Sequence, residues 1–290
     1  MVLLPKICTF SIVAHDPHEQ SWGVAVASRY LAVGAIVPYA RAGAGAIATQ
    51  SIGNPLFGLR GLELLAQGFE ARAVIEQILE NDELCEDRQL GIVDARGEAA
   101  TFTGASCSEW AGGITGPYYA AQGNTLVSAE TVRAMAATFE KASGSLADRL
   151  YAALAAGDRA GGDNRGKQAA SLLVVKPLPL YQGQYDRFLD LRVDDHSAPL
   201  DELGRLLQKH HLYHDISPEE EKIRIDRALA VELEALLAKS GFYKGETTGD
   251  WNTDAQAALT ALADRENLED RVNASSRLID PPALAYFRQL

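Results

Sequence analysis

The chain has 290 residues, 47% of them hydrophobic, enough for one large core plus a smaller satellite, and disorder as the default state is excluded. Lys and Arg number 27 against 39 Asp and Glu, a net charge of -12 that is the wrong sign for a nucleic-acid groove or an anionic membrane surface. No apolar run approaches the roughly 20 residues of a membrane-spanning helix, and an odd three cysteines (Cys8, Cys85, Cys107) at no metal-like spacing argue against a disulfide framework.

Residues 1–8 carry no basic segment ahead of their short apolar stretch, so a signal peptide is not expected and a soluble, cytoplasmic protein is. Strands at 9–14 and 21–28 flank the turn-rich segment 15–20 and predict an opening hairpin. In the second strand Val24 and Val26 face one way and Ala25 and Ala27 the other, which marks a strand buried on both sides. Small residues dominate 32–49, as where two layers pass closely. Asn54 as N-cap and Pro55 at the first helical position open a helix with Leu56, Leu59, Leu62 and Leu65. A second helix over 71–79 carries Val74, Ile75, Ile78 and Leu79 on one stripe.

Strands at 90–94 and 98–103 follow around Arg96-Gly97. Another helix pair occupies 129–141, burying Val132, Met135 and Phe139, and 146–156, stopping at Gly157. Strands at 169–175 and 188–193 and a helix at 200–211 complete the region. Strands and helices thus come in groups, which fits stacked sheets covered by helices better than an alternating parallel fold.

Composition changes near Ser217-Pro218. Glu219 to Glu221 are expected to open a helix bearing Leu229, Leu233, Leu236 and Leu237 and ended by Gly241. A turn-rich link over 242–251 leads to a second helix starting at Thr253 or Asp254 with Ala257, Leu259 and Leu262. About seventy residues suffice for a helical satellite, so the expected domains are 1–214 and 215–290.

Five separated motifs carry a resemblance: Thr9-Phe-Ser-Ile-Val-Ala14, Ala27-Ser-Arg29, the small-residue stretch 34–50, Gly161-Gly-Asp-Asn-Arg-Gly166, and the segment from Asp190 to His196. Over roughly 8–211 the chain resembles the DUF1028 family, assigned to the N-terminal-nucleophile (Ntn) hydrolase superfamily. The resemblance implies an α+β fold, a four-layer αββα sandwich. The tail, 219–290, resembles the peptidoglycan-binding-like domain that follows DUF1028 in some proteins, through 233–245 and then Asp250-Trp251 and a helix. That implies a small all-α domain and peptidoglycan fragments as its ligand.

An Ntn hydrolase attacks an amide carbonyl with the side chain of its first residue, and the free α-amine of that residue is the base. An unperturbed amine pKa of ~7.7–8 suits that task near neutral pH. The resemblance puts this role on Thr9, which is not the first residue, so the bond before it has to be cut. Cys8 is the competing nucleophile, because thiolates are intrinsically more reactive; otherwise both are ordinary strand residues. Arg29 either lies beside the nucleophile, lowering the amine pKa or gripping a substrate carboxylate, or pairs with Asp163 or Asp194.

Gln50, Ser51 and Asn54 sit between a strand and a helix start, where amides and open N–H groups form an oxyanion hole; Asn54 alternatively serves only as N-cap. Gln122 and Asn124, after the turn at 116–119, are a pocket wall or a turn. Asp163 projects toward the site from the 161–167 loop. That loop lacks phosphate-loop spacing, since Gln168 follows Lys167. Asp194 and His196, with Asp195 between them, orient a base, hold a metal or cap a strand end. Neither His15 with His18 nor His210, His211 and His214 make a ligand set, so no metal and no cofactor are expected. Trp251 with Phe242 and Tyr243 is a sugar-stacking face or the core of the small domain.

Two functional readings follow. One is an Ntn-type amidohydrolase acting on a small amide or peptide-like molecule through a processed Thr9. The other is a non-catalytic binding or assembly protein, an Ntn fold with a blocked amine fused to a helical recognition module. Neither involves nucleic acid or membrane. Faces rich in small residues, such as 40–48, suit packing between copies in a homo-oligomer or within one chain.

Overall fold

The computed structural model describes residues 8–177 and 185–290, so the 1–7 stretch on which the leader expectation rests lies outside the described residues. The chain divides into two units, Met1–Leu207 and Gln208–Leu290.

Among the described residues the first unit carries ten strands: β1 (Thr9–Asp16), β2 (Ser21–Ser28), β3 (Pro38–Arg41), β4 (Gly45–Ser51), β5 (Arg88–Asp94), β6 (Ala99–Thr103), β7 (Gly112–Gly116), β8 (Tyr119–Gly123), β9 (Ala169–Val175) and β10 (Arg187–Val193). They form a sheet in the order β10-β9-β2-β1-β8-β7 and a second in the order β3-β4-β5-β6, with every pairing antiparallel. The helices are α1 (Pro55–Ala66), α2 (Ala71–Leu79), α3 (Glu130–Lys141), α4 (Leu146–Arg159) and α5 (Pro199–His214), the last running across the division between the units.

Side-chain alternation along the strands sorts the apolar residues into three layers. Phe10, Ile12 and Ala14 of β1 pack with Val132, Met135 and Phe139 of α3 and Leu150 and Leu154 of α4. On the opposite face Val13 joins Trp22, Val24, Val26, Ala46, Ala48 and Val93 between the sheets. Ile47, Leu90 and Ile92 meet Phe57, Leu65, Val74 and Ile78 of α1 and α2. The layers therefore run helix, sheet, sheet, helix. The β1–β2 hairpin, both helix pairs and the β5–β6 and β9–β10 pairs lie where the sequence predicts them.

Three differences have physical causes. The small-residue stretch becomes the β3–β4 hairpin, and 112–123 becomes the β7–β8 hairpin. Both are rich in Ala and Gly, so burial between neighbouring strands, not β-branched propensity, holds them extended. Helix α4 passes through Gly157, where a β-carbon would lie 2.6 Å from Met135 Cγ; this glycine permits close packing with α3 instead of ending the helix.

The second unit contains β11 (Ile223–Arg224), α6 (Arg227–Lys239), α7 (Thr253–Glu266), β12 (Val272–Asn273), β13 (Leu278–Ile279) and α8 (Pro281–Phe287). Residues Glu219–Glu221 form only one 3-10 turn, and α6 is capped by Asp226, whose carboxylate accepts from the Leu229 amide at 2.8 Å. A small β11-β13-β12 sheet joins the helices, amending the all-α expectation. Trp251 and Tyr243 are buried among Leu233, Leu237, Leu259 and Phe287, and Trp251 Nε1 donates to the Ala274 carbonyl at 3.0 Å. Trp251 is thus core, which removes the sugar-stacking face.

Among the described residues no helix is long and apolar enough to cross a membrane.

Candidate functional site

At one end of the inter-sheet layer the side chains turn from apolar to polar. Thr9 and Ser11 of β1, Gln50 of β4, Gln89 of β5, Gln122 of β8 and Asn124 just beyond it are all buried there. Register explains the grouping: Ser11 lies opposite Gln122 and Gln50 opposite Gln89. Buried amides demand partners, and here, with the exception of Gln122 Oε1, they supply one another. Ser11 Oγ donates to Gln50 Oε1 at 2.7 Å, and Gln122 Nε2 donates to Ser11 Oγ at 2.7 Å. Gln89 Oε1 accepts from Gln50 Nε2 at 2.8 Å and from Asn124 Nδ2 at 2.9 Å. Gln89 Nε2 reaches the Gly123 carbonyl at 2.8 Å. A β-carbon at position 91 would collide with the Gln122 amide, so glycine at that position admits it.

Thr9 heads this network. Its main chain exchanges two hydrogen bonds with Asn124, at 3.3 and 3.0 Å, and its carbonyl accepts from Gln50 Nε2 at 3.4 Å. Thr9 Oγ donates to Ser28 Oγ at 3.2 Å, and Ser28 Oγ donates to the Cys8 carbonyl at 2.5 Å. That same carbonyl accepts from Arg165 Nη2 at 3.0 Å. Asp163 fixes Arg165 with two contacts, Nε to Oδ1 at 3.1 Å and Nη2 to Oδ2 at 2.8 Å. The Asp163 carboxylate also accepts the backbone N–H groups of Arg165 and Arg29, each at 2.9 Å. Hydrogen bonding to Asp163 raises the Arg165 pKa further, so the donor stays charged. The result is a hydroxyl beside a carbonyl that is polarised by one neutral and one cationic donor.

Thr9, Gln50, Gln122 and Asn124 are therefore brought together, with Asp163 behind them. Gln122 belongs to an interior strand, not to the loop expected. Arg29 is the main correction: only its backbone N–H meets Asp163, while its exposed guanidinium donates to the Arg165 carbonyl at 3.1 Å. Asn54 caps α1 by accepting from the Leu56 amide at 3.1 Å and takes no part in the network. Ser51 ends β4 and accepts from Cys107 Sγ at 3.5 Å. Asp194 and His196 are exposed, and His196 Nδ1 accepts from the Ala198 amide at 3.1 Å. His15 lies on β1 and not in the turn, with Nδ1 2.9 Å from the Ser21 carbonyl. Among the described residues no three His, Cys, Asp or Glu side chains cluster as a metal site.

Sequence reasoning missed Ser11, Ser28, Gln89 and Arg165. Ser28 and Arg165 lie inside the motifs quoted above, but nothing in those motifs says that both reach one carbonyl. Ser51 (φ 65) and Thr125 (φ 55) flank the network in the left-handed region, costly for a β-branched residue, and such strain concentrates at functional sites. A pocket of about 960 Å³ against Glu70, Arg72, Arg96 and Phe102 contains none of these residues.

Arg88, next to Gln89, anchors the start of β5. Its Nε and Nη2 donate to Asp82 at 2.7 and 2.8 Å, and this hydrogen bonding holds the Asp82 carboxyl below its ordinary value. A depressed native pKa stabilises the fold fully above the unfolded Asp pKa of ~3.9 and ceases to do so as pH falls through the native value. Asp82→Asn is accordingly expected to lower the melting temperature at pH 7 and to converge with the parent in strong acid. Thermal scans across pH check this; a constant difference would show that the carboxylate contributes nothing.

The fold and site define a mixed α+β protein with a buried hydroxyl-and-amide centre at the head of its first strand. The chain belongs to the family described as "Family of unknown function (DUF1028)", which matches residues 9–203. Residues 217–287 match the family described as "Putative peptidoglycan binding domain". Among the solved structures similar to it is the crystal structure of protein SPO2555 from Silicibacter pomeroyi, of the DUF1028 family. It is 30% identical, with a TM-score of 0.63, over 70% of this chain and 89% of that one. No curated protein matches the chain.

Proposed function

We propose that the first unit is an Ntn-type amidohydrolase precursor that cuts its own Cys8–Thr9 bond and then uses Thr9 on small amide or peptide-like substrates. The observation that carries this reading is the Cys8 carbonyl, held by Ser28 Oγ–H and the Arg165 guanidinium beside the Thr9 hydroxyl. Donors aimed at a carbonyl where negative charge develops are what acyl transfer requires. Thr9 Oγ adds to the Cys8 carbonyl carbon, the C–N bond breaks, and the hydroxyl proton ends on the departing Thr9 nitrogen. Water hydrolyses the ester, leaving a Cys8 carboxylate and a free Thr9 amine to serve as base. The layered αββα arrangement supports the Ntn reading. In the tail, the family match supports peptidoglycan fragments as ligand.

Intact-mass measurement of purified full-length chain tests the reading. The parent is expected to lose residues 1–8, while Thr9→Ala stays whole and Ser28→Ala is cut more slowly. A parent that stays uncut on prolonged incubation refutes it. That outcome would favour the non-catalytic binding or assembly role, for which the complete burial of Thr9 speaks.

A further inference from the structure

We infer that the place held by Cys8 is the acyl subsite of the cut protein, and that its substrates are amides whose acyl residue is small, of alanyl, seryl or cysteinyl size. This deepens the cleavage reading and rests on it. Cleavage removes the acceptor of two donors at once, because Ser28 Oγ–H and Arg165 Nη2–H both point at the Cys8 carbonyl oxygen. Ser28 is buried, and a buried donor without a partner costs about 1–3 kcal/mol. An incoming acyl carbonyl restores both hydrogen bonds by occupying the vacated position. Thr9 Oγ shares Ser28 Oγ with that position, at 3.2 Å. Asp163 keeps Arg165 aimed there before and after the cut, through contacts that do not involve residues 1–8.

With its carbonyl seated there, the substrate's side chain occupies the space of the Cys8 side chain, and Cys8 is only 6% exposed. Well-packed interiors accept extra methylene groups poorly, so a leucyl or phenylalanyl group is excluded where a methyl or hydroxymethyl group fits. Arg165, 38% exposed, leaves the donor side of the subsite open to solvent.

Turnover balances as amide plus water giving acid plus amine. Thr9 Oγ bonds to the acyl carbon while its proton passes to the Thr9 amine. The C–N bond breaks and that proton moves to the leaving nitrogen. Water then cleaves the ester and returns a proton to Oγ.

The test uses the full chain after self-cleavage, verified by mass, with the p-nitroanilides of N-acetyl-alanine, N-acetyl-serine, N-acetyl-leucine and N-acetyl-phenylalanine. The expected result is a kcat/KM roughly tenfold or more higher for the alanyl and seryl probes, abolished in Thr9→Ala. Independently, Cys8→Phe is expected to cut itself far more slowly than the parent, in a variant whose melting transition remains intact. Cleaved protein that turns over none of the probes, or favours the leucyl or phenylalanyl ones, overturns the subsite and leaves the cleavage reading standing. Protein that never loses residues 1–8 overturns both.

Discussion

Arg271→Ala is expected to cost the second unit about 3–5 kcal/mol, the range for breaking a buried ion pair by removing one partner. Arg271 and Asp280 have side chains 1% and 0% exposed and meet through Nη1 and Oδ2 at 2.6 Å. Arg271 Nη2 also donates to the His211 and Asp215 carbonyls, each at 2.7 Å, which secures the end of α5. Asp280 accepts from Ser217 N and Oγ at 3.0 and 2.8 Å. Truncating the arginine leaves the buried Asp280 carboxylate without its counter-charge, with only the Ser217 donors, and takes one donor from each of the two carbonyls. For a unit of this size such a loss approaches the whole of its stability. Urea titration followed by Trp251 fluorescence should show an early transition. A double replacement, Arg271→Met with Asp280→Leu, should recover much of the loss, because apolar residues of similar volume can stand in for a buried pair. A single variant as stable as the parent would show that the pair contributes nothing net.

Gln89→Leu has an expected effect of similar size. It withdraws the acceptor shared by Gln50 Nε2 and Asn124 Nδ2 and the donor to the Gly123 carbonyl. Buried polar groups left unpaired cost about 1–3 kcal/mol each, so a destabilisation on the order of 3–6 kcal/mol is expected from chemical denaturation. Gln50 and Asn124 both hold the Thr9 main chain. At temperatures where the variant stays folded, loss of residues 1–8 should therefore be slower than in the parent. Gln89 touches none of the reacting atoms; it acts by positioning. Unchanged cleavage in a folded Gln89→Leu would confine its role to stability.

Much of this fold is legible in the chain. The doubly apolar 21–28 strand, the Asn54-Pro55 start and the apolar stripes of α2 and α3 declare themselves, because period and capping are local properties. The α1 stripe does not hold, since Leu56 and Leu59 are exposed and Phe57, Gly61 and Leu65 face inward. Nor do the β3–β4 and β7–β8 hairpins declare themselves, since Ala and Gly become strand residues only when neighbours bury them. The site divides along the same line. Thr9 stands out only through the family resemblance, whereas Gln50, Gln122, Asn124 and Asp163 are polar residues in or beside strands or at a Gly-rich turn, and that oddity marks them. Gln89 and Arg165 act through long-range pairing, which only the β4–β5 register and the return of the 161–167 loop create. Arg29 looked charged and misplaced, yet it is the neighbouring main chain that Asp163 uses.

The two donors to the Cys8 carbonyl stand 20 and 157 positions further along the chain. On the ribosome, the first becomes available early and the second only after most of the first unit has been synthesised. Under the proposed cleavage, a nascent chain broken off before residue 165 would keep the segment ahead of Thr9, and release of that segment would report that the whole first unit had been assembled.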